Sequence, residues 1–86
     1  MYERTARVVR ENGRYVREYL KENGYSLISS SKEGNSFYYS KPGAGIVRIS
    51  DHGNLSSMYI APSVNVYSET PGAWREFIEQ IKKLEN

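Results

Sequence analysis

Six basic residues near the start of the chain, Arg4, Arg7, Arg10, Arg14, Arg17 and Lys21, are spaced 3, 3, 4, 3 and 4 apart. This rhythm belongs to an α-helix and not to a strand, whose side chains alternate with a period of two. At about 100° per residue, Arg7 through Lys21 fall within an arc of about 80°, with Arg4 outside it. Tyr2, Val8, Val9, Tyr15, Val16, Tyr19 and Leu20 gather on the opposite side. The pattern predicts a helix over about residues 3–23 whose apolar stripe needs a second layer to cover it. The phase runs through Gly13, so one continuous helix is expected. Asn12-Gly13 is the place where a break would fall, because Gly costs about 1 kcal/mol against Ala inside a helix. Asn23-Gly24 supplies the stop, glycine tolerating the left-handed turn that ends many helices.

Beyond that stop the pattern changes to strands. Residues 25–29 (YSLIS) read as a short strand and 30–35 as a polar loop. Residues 36–40 (SFYYS) and 46–50 (IVRIS) flank a Pro-Gly turn at 41–45 and make a β-hairpin. VNVYS at 64–68 alternates like a final strand. Thr70-Pro71 has the form of a helix start, Thr as cap and Pro at the first helical position. Trp74, Phe77, Ile78, Ile81 and Leu84 then follow at core-facing helical spacing. The order is α-β-β-β-(β)-α. We expect a single α+β domain over residues 1–86, two-layered, with an antiparallel sheet packed on two helices.

Composition narrows the chemistry. Cysteine is absent, which excludes disulfides, thiolate metal sites and a cysteine nucleophile. His52 is the single histidine, so a histidine metal cluster is excluded as well. No cofactor is expected. No run approaches the roughly 18 apolar residues of a membrane span, and the charged start MYERTARVVRE is not a signal peptide. A soluble, cytoplasmic protein with no membrane partner is the expectation. The net charge of +2 is too small to assign a nucleic-acid partner. Its distribution says more, since the six residues of the helix stripe are half of the 12 Lys and Arg. Eight Tyr, two Phe and one Trp suit a small core or an adhesive surface, and a homodimer is compatible with them.

Two groups of residues are candidate sites. In the hairpin, alternation puts Phe37, Tyr39, Val47 and Ile49 on one face, under the helices. Ser36, Tyr38, Ser40, Arg48 and Ser50 take the other face, with Asp51 and His52 at its end. Such a face is either ordinary solvated sheet or a ligand grip. Arg48 offers a bidentate fork to phosphate or carboxylate, Tyr38 a plate to stack on, and His52 a group that titrates near neutral pH. His52 beside Asp51 also invites acid–base chemistry with Ser36 or Ser50 as nucleophile. Adjacent strand residues point to opposite faces, however, and Asp-His-Gly-Asn reads equally as turn chemistry. The second group is the helix stripe, Arg7, Arg10, Arg14, Arg17 and Lys21, which would follow a phosphate backbone or an acidic partner. The alternative is a solvated face in which Glu11, Glu18 and Glu22 pair with Arg14, Arg17 or Lys21.

Residues 12–53 resemble the HicA family of small toxin ribonucleases, whose fold is like a double-stranded-RNA-binding domain. The parallels are the Asn23-Gly24-Tyr25 helix end, the Lys32-x-Gly34 loop and a hairpin strand that ends in His52-Gly53. In that family a Gly-Ser-His at the start of the second strand supplies the catalytic histidine. Here Gly34 is followed by Asn35, Ser36 and Phe37, so the resemblance implies the fold without that histidine. The pattern Gly34-x-Ser36-x-Tyr38-Tyr39 with Val47-Arg48-Ile49-Ser50-Asp51-His52 is also similar to small uncharacterised proteins of phages and other mobile elements. That resemblance implies a binder that antagonises a host defence. The expected function is therefore non-catalytic binding of an anionic, nucleotide-like small molecule or a host protein, with Ser36, Tyr38, Arg48, Ser50, Asp51 and His52 as its site. The alternatives are RNA or DNA binding through the helix stripe and, less favoured, a HicA-like ribonuclease.

Overall fold

The computed structural model describes residues 2–31, 36–50 and 62–85, with residues 2–4 described by backbone alone. Among them are two helices and four strands: α1 (Tyr2–Glu22), β1 (Ser26–Ser30), β2 (Ser36–Ser40), β3 (Val47–Ser50), β4 (Val64–Val66) and α2 (Trp74–Leu84). α1 runs without a break through Gly13. A Cβ at Gly13 would lie 3.0 Å from Ile49 Cγ2, so the glycine lets the helix settle onto β3. Gly24, at φ 87°, turns the chain out of α1, and the Tyr25 amide returns to the Leu20 carbonyl at 3.0 Å.

The strands form one sheet in the order β1-β2-β3-β4. β1–β2 and β2–β3 are antiparallel, as expected, but β4 pairs parallel to β3, so the sheet is mixed. An antiparallel neighbour needs only a tight turn, whereas a parallel one needs a crossover of a dozen or more residues. The interval 51–63 between Ser50 and Val64 has that length.

The cross-strand partners Phe37 and Ile49, Tyr39 and Val47, Val47 and Val64, and Ile49 and Val66 share one face. Val16 and Leu20 of α1 and Ile81 of α2 pack on that face in a single cluster, with Phe77, Ile78 and Leu84 at its border. The domain is thus a two-layer α+β arrangement. Each fully buried aliphatic chain contributes about 1.5–3 kcal/mol.

Asn12, fully buried, joins the two helices. Its Oδ1 accepts from the Trp74 amide (3.1 Å), and its Nδ2 donates to the carbonyls of Ser68 (3.1 Å) and Thr70 (2.9 Å). α2 therefore receives its side-chain cap from α1 and not from Thr70. The expected Thr70-Pro71 start fails because Gly72, at φ 79°, interrupts the helical path and Ala73 becomes the cap position. Tyr15 and Trp74 stack beside this junction, ring centroids 5.0 Å apart. At the other end, the Tyr25 hydroxyl donates to Glu85 Oε2 (3.1 Å), and Lys41 pairs with the same carboxylate (3.4 Å).

Candidate anion-binding groove

The structure brings the sequence-predicted residues of the second sheet face together. Ser36 stands opposite Ser50, Tyr38 opposite Arg48, and Arg48 beside Asn65 of β4. Arg48 Nη2 donates to Ser36 Oγ at 3.3 Å, and its guanidinium carbon lies 5.8 Å from the centre of the Tyr38 ring. This face is not open. Tyr38 is 8 % exposed, Arg48 3 % and Ser50 1 %. All four residues of β3 are buried, so the strand is enclosed on both faces. A guanidinium removed from water is tolerable only when hydrogen-bonded and flanked by polarisable groups, and Ser36 and Tyr38 supply part of that need through Nη2 and the ring face. The set is a buried polar layer, where the sequence suggested a solvated or ligand-gripping surface. Asp51 and His52 lie outside the described residues.

The helix stripe behaves differently. Arg7, Arg10, Arg14 and Arg17 line a groove of about 380 Å³, together with Glu11 and Gly13. Its floor is Phe37 of β2 and Ile49 of β3. The groove exists because α1 sits over β3, held close at Gly13, and its basic flank leans over β2. Arg17 is drawn in furthest, its guanidinium 4.9 Å from the centre of the Phe37 ring. Burial holds the nearby Tyr39 phenol above its usual range, and Arg17 pulls the other way. Lys21, at the end of the stripe, is exposed and does not line the groove.

The expected pairing of Glu11, Glu18 and Glu22 with this stripe is not found. Among the described residues the ion pairs are Lys41–Glu85 and Lys82–Glu79, neither of them on α1. Arg7, Arg10, Arg14 and Arg17 are i, i+3 or i, i+4 neighbours of one another, a like-charge arrangement that costs a few tenths of a kcal/mol per pair. With Glu11 as the one carboxylate among the described residues of the lining, those residues carry four positive charges against one negative.

Sequence reasoning found the rail of arginines and missed the floor. Gly13 was the available signal, a small residue on the boundary between the apolar and basic sides of α1, marking where helix and sheet approach. Among the described residues no three His, Cys, Asp or Glu side chains converge as a metal ion would require, and no helix is long and apolar enough to cross a membrane. Compared with known protein families, curated proteins and solved structures, the chain matches none.

Proposed function

We propose that this chain is a non-catalytic binding protein for nucleic acid, with the groove beside α1 as its phosphate track. The observation that supports it is the set of four arginines on one groove, none within ion-pair distance of a carboxylate among the described residues. From Arg7 to Arg17 the helix rises about 15 Å, at 1.5 Å per residue. One phosphate would leave most of that rail unused, whereas a strand carries several phosphates in a row. Arginine forks bind phosphate oxygens in pairs, and a bound anion removes the repulsion along the stripe.

Fluorescence polarisation with a labelled 12-nucleotide strand at 50 mM salt tests the proposal. The charge reversal Arg10→Glu with Arg14→Glu is expected to weaken binding on the order of 100-fold while the thermal midpoint holds. Equal binding by the reversed and unaltered chains would overturn it.

A further inference from the structure

Among the described residues the wall of the groove is α1. Opposite α1 its floor continues onto β1, and every residue of that strand is exposed. Leu27 is partnered with Tyr39 and Ser30 with Phe37, so both share the face that carries the groove. Leu27 is 53 % exposed there. Residues 26–31 bear no charge, so β1 itself does not repel an anion. From wall to edge the surface therefore reads as a cationic rail, an aromatic ring and an uncharged apron.

We infer that the nucleic acid held here is single-stranded, with one base seated on Phe37 and its phosphates on Arg7, Arg10 and Arg14. This rests on the nucleic-acid reading above. A duplex keeps the faces of its bases stacked inside and offers the protein phosphates and groove edges, which would leave the Phe37 ring unused. An unpaired strand offers both phosphate and a free aromatic face, and base-on-ring stacking accepts every base. Arg17 already stands over Phe37, which shows that the ring turns a face to the groove. A base that takes the place of this guanidinium frees Arg17 for the next phosphate. The preference is for strandedness rather than sequence, because stacking on an aromatic ring accepts every base.

The test compares a labelled 12-nucleotide single strand with the duplex formed by adding its complement, at 50 mM salt. The expected result is at least 10-fold tighter binding of the single strand. Phe37→Leu should remove most of that advantage and leave duplex binding unchanged, while Phe37→Tyr retains it. Arg17→Lys, which keeps the charge and loses the two-pronged fork for the phosphate that Arg17 takes when the base displaces it, gives a second readout that does not touch the core. It is expected to lower single-strand affinity without altering the salt dependence. Duplex binding equal to or tighter than single-strand binding overturns the inference and leaves the phosphate track standing. So does an unchanged single-strand preference in both Phe37→Leu and Arg17→Lys. Absence of binding to either form overturns the track as well.

Discussion

Two arginine–aromatic pairs sit back to back on this sheet. Phe37 and Tyr38 are consecutive residues of β2, so they point to opposite faces, and each carries a guanidinium over its ring, Arg17 at 4.9 Å and Arg48 at 5.8 Å. Arg48 is enclosed, 3 % exposed, and hydrogen-bonded to Ser36. Arg17 lines an open groove with three further arginines. The same pair of residue types serves structure on one face and recognition on the other. What separates them is burial: a charge removed from water must be satisfied internally and so becomes part of the fold, whereas a charge left at a groove keeps its bonding capacity for a partner.

The largest effect should come from the inner pair. Arg48→Ala leaves a cavity and removes the guanidinium that donates to Ser36, and is expected to cost about 3 kcal/mol in urea unfolding. Arg48→Met, which fills the space without a charge, should recover much of that loss. If Arg48→Ala unfolds at the same urea midpoint as the unaltered chain, the two faces are not divided as described. Asn12→Ala comes next. It removes the acceptor of the Trp74 amide and the donor to two carbonyls, and should cost about 2 kcal/mol. Loss of helical circular dichroism from α2 before the rest of the molecule would localise the effect.

A smaller effect is expected with pH. The Tyr25 phenol is raised well above its usual range, chiefly by burial and further by the Glu85 carboxylate it bonds; burial also raises Tyr19 and Tyr39. Each raised folded value means that the native state favours the neutral phenol. That stability is complete below the unfolded value near 10 and is lost as pH climbs from there towards the folded values. Urea midpoints should therefore be flat through pH 9 and fall above pH 10, with a shallower fall in Tyr25→Phe. An identical alkaline slope in that variant would mean that Tyr25 contributes nothing to it. The smallest effect on stability belongs to the groove: Arg14→Ala should stay within about 0.5 kcal/mol of the unaltered chain.

Much of this division was written in the sequence, and the rest could not be. The phase of the basic stripe carried α1 through Gly13, and the Pro-Gly turn placed the β2–β3 hairpin with its faces sorted correctly. Periodicity states which residues share a face. It does not state what covers that face, so Ser36, Tyr38, Arg48 and Ser50 read as a surface when they are enclosed. Parallel pairing of β4 and the capping of α2 by Asn12 depend on partners more than ten residues away, which local patterns do not encode. Asn12 was legible as a weak point of a helix, and its three hydrogen bonds were not. The rail of the groove lies in one helix and could be read; its floor comes from two strands and could not.

The salt dependence of strand binding tests the central claim most directly. With a labelled 12-nucleotide single strand titrated between 50 and 200 mM salt, the logarithm of the binding constant should fall linearly with the logarithm of salt concentration. In the double variant Arg10→Ala with Arg14→Ala the slope should be shallower by about 1.4, about 0.7 for each lost phosphate contact on a single strand. A slope that is unchanged in that variant, or binding that ignores salt altogether, would contradict the assignment of the α1 groove as the site.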